Sequence, residues 1–284
     1  MNKNIKSEVQ RIIDNAIQED IGDGDHTSLA CIPENAKGKA RLIFKEDAVL
    51  AGLEVAEQIF YTVDPELTLQ VYHKDGDILK KDDIVFEVRG NQRSILKAER
   101  LVLNTLQRMC AIATNTWKLN EKLEDTSTKI LDTRKTTPGI RLLEKMAVKI
   151  GGGVNHRFGL YDMIMLKDNH IDYAGSVSNA IKNTKAYLEK QKKNLKIVVE
   201  ARNLDEVEEI LENEPVERIL LDNFTPENTR KAIKKINGKC DTESSGNISL
   251  ATAGDYARCG VDYISSGALT HHVDNIDMSL KAID

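Results

Sequence analysis

The sequence predicts an α/β protein whose C-terminal part is a closed parallel barrel. Three observations predict it. From about residue 128 one phrase recurs, a short apolar strand, a polar tip and a helix, and each return to a parallel strand needs such a crossover. The six strands, KILDTRK, YDMIMLK, LKIVVEA, ERILLDN, KCDTESSG and VDYISSG, are largely apolar, as strands covered on both faces are. Every strand also ends in a residue with binding or reactive chemistry. A barrel points all such tips into one mouth, whereas an open doubly wound sheet gathers only a few at its switch point.

The elements follow in order. Ile5, Val9, Ile12, Ile13, Ala16 and Ile17 recur at helical spacing over residues 5–20, and Gly22 ends that helix. GDGDHTS (22–28) reads as a loop. Residues 38–51 alternate as a strand, and Leu53–Phe60 reads as a helix. LTLQVYH, DGDILKKDD and IVFEVRG read as short strands separated by Asp-Gly and Lys-Asp turns. Residues 95–123 form one long helix or two joined ones, with Leu101, Leu103, Leu106 and Ile112 towards a core. The barrel helices include 176–193, 203–213, 226–236 and 248–259. The division falls near residue 115, giving an N-terminal domain 1–115 and a barrel 116–272.

A length of 284 residues supports two cores of this kind. The net charge of -5 argues against a general affinity for nucleic acid or acidic membranes. No apolar run approaches a membrane span, and the polar start MNKNIKSEVQ is unlike a signal peptide. Cys31, Cys110, Cys240 and Cys259 are widely separated with no CxxC pairing. Free thiols in a cytoplasmic protein are therefore expected, not a zinc site or disulfide framework.

The tips read in order as Arg134 with Lys135, Lys167, Glu200, Asp222, Ser245 with Gly246, and Ser266 with Gly267. GGGVNHRFGL, between the first two strands, adds His156 and Arg157. Arginine forks suit carboxylates and phosphates, and lysine adds a mobile charge. Four cations in one mouth call for a polyanionic ligand. Glu200 and Asp222 suit ribose hydroxyls or Mg²⁺, which takes one or two carboxylates plus substrate phosphate oxygens. Ser245-Gly246-Asn247 just before a helix at 248–259 would seat a phosphate at a positive helix end. His271 and His272 follow the last strand, where one of them can face the mouth. Any one of these residues is commonly a solvated charge, a cap or a turn; the agreement of six tips carries the reading.

At these residues the chain resembles the quinolinate phosphoribosyltransferases. The likeness runs from EDIGDGDHTS (19–28) to DMSL (277–280), through AERLVLNTLQ (98–107), DTRKTTPGIRLLEKMAVKIGGGVNHRFGL (132–160), MLKDNHI (165–171), VVEARN (198–203), LLDNF (220–224), ESSGNI (243–248) and ISSGALTH (264–271). The resemblance implies an N-terminal open α/β sandwich followed by an α/β barrel with fewer than eight strands. It also implies that residues 273–284 return to the sandwich. A cytoplasmic homodimer is implied, with Arg100 donated across the interface to quinolinate. Arg134, His156, Arg157 and Lys167 match the positions holding the two carboxylates, and Lys135 borders both substrates. Glu200 and Asp222 match the acidic pair at the ribose and Mg²⁺ of phosphoribosyl pyrophosphate. Ser245, Gly246, Asn247, Ser266 and Gly267 match the phosphate turns, with His271 near the pyrophosphate.

The implied reaction displaces pyrophosphate with the quinolinate ring nitrogen, loses CO₂ and yields nicotinate mononucleotide for NAD synthesis. Three other readings compete. One is a paralogous transferase acting on another aromatic acid. Another is a barrel lyase using Lys167 or Lys135 as a Schiff-base amine. The third is a biotinyl or lipoyl carrier, suggested by HKDGDILKKDDIVFEVRG but lacking an attachment lysine beside methionine.

Overall fold

The computed structural model describes residues 3–213 and 215–284, and these fall into two units. Among the described residues the first comprises 3–117, 136–152 and 269–284, and the second 118–135, 153–213 and 215–268.

The first unit opens with α1 (Lys3–Ile21), where Val9, Ile12 and Ile13 make the buried stripe. The expected loop at 22–28 ends early, because Asp25 caps a short helix α2 (His26–Cys31) by accepting the Ser28 N–H at 3.1 Å. The strand expected over 38–51 divides into β1 (Lys37–Phe44) and β2 (Ala48–Val49). Between them Asp47 accepts the Lys81 N–H at 2.9 Å and so takes the chain out of the ladder. α3 (Leu53–Val63) follows Gly52, whose φ of 102° and contact with Met109, 2.7 Å from a notional Cβ, leave no room for a side chain. Then come β3 (Thr68–Val71), β4 (Ile78–Leu79), β5 (Ile84–Asn91) and one continuous helix, α4 (Gln92–Glu121).

The chain next contributes β6 (Lys129–Leu131) to the second unit and returns to the first as α5 (Arg141–Ile150). The second unit continues with β7 (Ile164–Leu166), α6 (Asp168–Ala174), α7 (Val177–Gln191), β8 (Ile197–Ala201), α8 (Leu204–Glu212) and β9 (Arg218–Asp222). It ends with α9 (Pro226–Ile236), β10 (Asp241–Ser245), α10 (Ala253–Ala257) and β11 (Tyr263–Ser265), after which α11 (Ala268–His271) leads out. The last strand, β12 (Met278–Ile283), pairs antiparallel with β1 and completes a sheet of order β12-β1-β5-β3 in the first unit.

All six expected barrel strands form one parallel sheet of order β6-β11-β10-β9-β8-β7. That is the strand order of a barrel with its seam between β6 and β7. Among the described residues no strand pair closes the seam, and Val154 adds a single parallel bridge to Leu131. Ile197, Val199, Ala201, Ile219 and Leu221 pack beneath the helices with Val207, Ile210, Ala232 and Ile236. Alternation then turns Glu200, Arg218, Leu220 and Asp222 to the opposite face of the sheet. Local chemistry starts each helix where the sequence changes period: Ser176, Asn203 and Thr225 cap α7, α8 and α9, and Pro226 opens α9.

The helix expected over 248–259 is shorter. Thr252 turns its hydroxyl to the Asn247 carbonyl at 2.9 Å and accepts the Ser249 N–H at 3.0 Å. These side-chain bonds compete with the first helical turn, and α10 begins only at Ala253.

Candidate functional site

The second unit supplies most of the expected site residues from the C-terminal ends of its strands. After β6 the chain exposes Arg134 and Lys135, with the Lys135 N–H held by Thr133 Oγ1 at 3.0 Å. Asp132, immediately before them, is wholly buried and accepts the His156 N–H at 2.8 Å. This buried carboxylate ties GGGVNHR back to the first strand, a role the sequence reading did not assign.

Arg157 is buried, and its guanidinium donates through Nη1 to the Met163 carbonyl at 3.1 Å. Burial pushes its pKa down, and the positive charge of Arg134 pushes the same way, against a smaller opposing pull from Asp162. Two guanidiniums thus share one neighbourhood. The loop beyond is fixed by Asp162, whose oxygens accept the N–H groups of Phe158 at 2.7 Å and Gly159 at 2.9 Å. His156 is also buried, lying behind Arg157 and facing Glu243.

Lys167 follows β7, and its N–H is accepted by His170 Nδ1 at 3.0 Å. Its Nζ lies 3.5 Å from Glu200 Oε2. Glu200 is only 6% exposed. Burial raises its pKa; Lys167 opposes that rise, while Asp222 and Asp168 add to it. Asp222, at the end of the adjacent β9, is half-buried and accepts Asn223 Nδ2 at 2.8 Å. The pair of carboxylates therefore presents net negative charge beside a single mobile lysine. A divalent cation suits this donor set if substrate oxygens complete its shell, since no group of three or more His, Cys, Asp or Glu side chains of metal-binding geometry exists among the described residues.

The turn expected to seat a phosphate takes a form other than the expected helix end. Gly246 and Asn247 both have left-handed backbones, with φ of 91° and 55°, directly after β10. The Asn223 N–H donates to the Ser245 carbonyl at 2.8 Å, and Asn247 Nδ2 approaches Asn223 Oδ1 at 3.4 Å. A Cβ on Gly246 would meet Asn223 Oδ1 at 2.1 Å, so only glycine fits. Backbone amides presented by a turn can bind an anion without a helix. Ser266 is buried and donates its hydroxyl to the Ile248 carbonyl at 3.2 Å, tying this turn to the one that carries Gly267.

Arg100 and His271 belong to the first unit. Arg100 is exposed on α4. His271 is exposed at the end of α11, its ring edge-on to His272 with centroids 4.3 Å apart. Arg108 on α4 joins Glu144 at 2.9 Å and also donates to the Thr270 carbonyl, which fixes the turn before His271. Both Lys135 and Lys167 are exposed, unlike the desolvated amine a Schiff-base lyase requires. No helix among the described residues is long and apolar enough to cross a membrane.

Comparison with known proteins bears on the family and the fold. Residues 25–110 match the family model for the N-terminal domain of quinolinate phosphoribosyl transferase, and residues 112–281 match that for its C-terminal domain. The chain is 44% identical to the chloroplastic carboxylating nicotinate-nucleotide pyrophosphorylase of Oryza sativa subsp. japonica over 96% of this chain and 77% of that protein. It is 38% identical to the probable nicotinate-nucleotide pyrophosphorylase of Bacillus subtilis, covering 96% of this chain and 93% of the other. The crystal structure of NadC from Streptococcus pyogenes superposes with a TM-score of 0.92 at 41% identity, over 97% of each chain.

Proposed function

The chain belongs to the quinolinate phosphoribosyltransferase family, and from that premise we propose that its parallel-sheet tips bind quinolinate and phosphoribosyl pyrophosphate for a decarboxylating transfer. The reaction gives nicotinate mononucleotide, pyrophosphate and CO₂, a step of NAD biosynthesis. The observation that carries the assignment of roles is the pairing of Arg134 with the buried Arg157, two positive groups whose proximity a dicarboxylate relieves. Lys167 adds charge to that clamp, and His156 forms its base.

Glu200 and Asp222 face the ribose. The anomeric carbon develops oxocarbenium character as pyrophosphate departs, and two fixed carboxylates stabilise the positive charge. Lys135 neutralises charge on the departing side. Ser245, Gly246, Asn247, Ser266 and Gly267 seat the 5′-phosphate through the left-handed turn and its neighbour. Glu200 and Asp222, together with substrate oxygens, would hold Mg²⁺, which would supply charge neutralisation. The ring nitrogen of quinolinate forms the new bond to carbon as the carbon–oxygen bond to pyrophosphate breaks. The adjacent carboxylate then leaves as CO₂, its electron pair remaining on the ring carbon beside the cationic nitrogen until a proton arrives. Orientation of two polyanions by fixed cations supplies much of the remaining acceleration.

The same reading makes the protein a cytoplasmic homodimer in which Arg100 reaches the partner's quinolinate and His271 lies near the pyrophosphate. Mixing Arg100→Ala with Lys135→Ala subunits then restores activity in hybrid dimers, each holding one intact site; a verified heterodimer with no activity would count against the shared site. The assay that tests the function measures ¹⁴CO₂ from carboxyl-labelled quinolinate, with phosphoribosyl pyrophosphate or Mg²⁺ omitted singly. Release that needs both, with equal nicotinate mononucleotide, is the expected result. No release from folded protein moves the acceptor to another aromatic acid.

A further inference from the structure

Glu243 lies in the middle of β10, in register with Leu220 of β9 and Tyr263 of β11, and is wholly buried. It sits two residues before Ser245 and so shares a face of the sheet with that tip. Its Oε2 accepts Arg218 Nη1 at 2.9 Å, and the Arg218 guanidinium rests 3.9 Å above the Tyr263 ring. The same oxygen lies 3.4 Å from His156 Nε2. Burial alone would push the Glu243 carboxyl up, but His156, Ser265 and Arg218 outweigh it and hold the group below the usual carboxylate range.

The imidazole has a second engagement. His156 Nδ1 accepts the Arg157 N–H at 2.7 Å, and the His156 N–H itself goes to Asp132 Oδ1 at 2.8 Å. Since Nδ1 is an acceptor, the ring proton is placed on Nε2, which approaches Glu243 Oε2 at an ion-pair distance without meeting hydrogen-bond alignment. A continuous line thus runs from Arg218 through Glu243 and His156 to the backbone of Arg157, whose guanidinium is held in turn by the Met163 carbonyl.

We propose that Glu243, through His156, is a positioning residue for quinolinate: it holds the His156 ring and its Nε2–H tautomer in place, and the ring fixes the peptide that carries Arg157. A buried ion pair contributes little to stability that well-packed apolar side chains cannot supply, so stability alone does not account for Glu243. A tautomer exchange or a ring turn would free the Arg157 N–H and displace the guanidinium. Displacements near 1 Å at a binding group are enough to change kinetics roughly tenfold or more. The inference rests on the assignment of Arg157 to quinolinate.

The test uses the intact enzyme and two paired variants. Arg218→Met with Glu243→Leu removes both charges at similar volume; Arg218→Met with Glu243→Gln keeps a neutral acceptor for His156. In the first, the melting temperature stays near that of the parent. Its quinolinate KM rises roughly tenfold, its phosphoribosyl pyrophosphate KM stays within about twofold, and ¹⁵N NMR of the ring shows His156 Nδ1 gaining proton character. The second returns the quinolinate KM and the tautomer towards the parent's. If the apolar pair does not fold, Glu243→Asp keeps the charge beside Arg218 but draws it back from His156, with the same rise in quinolinate KM expected. Parental quinolinate KM and an unchanged tautomer in the folded Glu243→Leu or Glu243→Asp background overturn the proposal. Arg157→Ala, measured alongside, separates the two levels. If it leaves quinolinate KM unchanged, the functional assignment fails. If it raises KM while the Glu243 variants do not, only the present inference fails.

Discussion

The two units of this chain treat their interiors differently. In the first, β1 alternates between buried and half-buried positions from Ala40 onward, and the buried charged groups among the described residues are Glu144 and Lys145 of α5. In the second, the five residues of β8 are all buried, yet Asp132, Arg157, Glu200, Arg218 and Glu243 are buried as well. Burying charge works against folding unless each group finds partners. The first unit spends its sheet on an apolar core, whereas the second accepts the cost on the sheet face that carries its strand tips. The difference teaches where activity and stability part company: substitutions on that face trade one for the other, and substitutions in the apolar core of the sandwich change stability alone.

Five substitutions break or sharpen this contrast. The largest effect belongs to Glu200→Gln, with a loss of about 10²–10³-fold in kcat, the scale of removing one preorganised electrostatic stabiliser. Burial raises the Glu200 pKa in the folded protein. Its stabilising contribution is therefore full at acid pH and lost as pH rises through the raised value. Above that raised value the buried charge opposes folding, and there the amide should raise the melting temperature by about 2–4 °C for each kcal/mol recovered. A calorimetric scan in that range showing a lower melting temperature would contradict the trade.

Next come Arg134→Ala and Arg157→Ala, each weakening quinolinate binding by about 1.5–3 kcal/mol, or roughly 10- to 150-fold, as loss of a charged hydrogen bond does. Titration calorimetry checks it, and unchanged affinity in both removes the clamp. Gly246→Ala should cost about 1–2 kcal/mol through its left-handed backbone alone, with the 2.1 Å approach to Asn223 Oδ1 adding to that. Its KM for phosphoribosyl pyrophosphate should rise more than that for quinolinate; equal shifts would detach this turn from the phosphate. Smallest is Ile59→Val in α3, wholly buried in the first unit. It should cost about 0.5–1.5 kcal/mol in denaturant unfolding with both KM values unchanged, and a change in either would erase the contrast.

Much of this architecture was legible because period and chemistry coincide. The six barrel strands are apolar runs with polar ends, and each became a strand of the parallel sheet. Where side chains compete locally with the backbone, the sequence misleads. Thr252 delays α10, Asp25 starts α2 inside a glycine-rich loop, and Asp47 divides the strand expected over 38–51. At the site, tip residues announced themselves by position, whereas Glu243, Arg218 and Asp132 did not. A usable signal was present: Asp241, Glu243 and Ser245 alternate along one strand, as do Arg218, Leu220 and Asp222 along its neighbour, which sets each group on one face. Their partner His156 is distant in sequence, and no local pattern joins it to Glu243.

The seam between β6 and β7 has a consequence for the chain's behaviour in crowded solution. Where two neighbouring barrel strands share no ladder, their outer backbone groups form an edge, and an edge is a template on which another chain's strand can add. Here the flanking strands β6 and β7 offer three residues each, while the five-residue strands β8, β9 and β10 lie inside the sheet with neighbours on both sides. Val154 occupies part of the β6 edge with its bridge to Leu131. The longest strands are thereby paired on both sides, and the seam offers a foreign strand only short stretches of backbone.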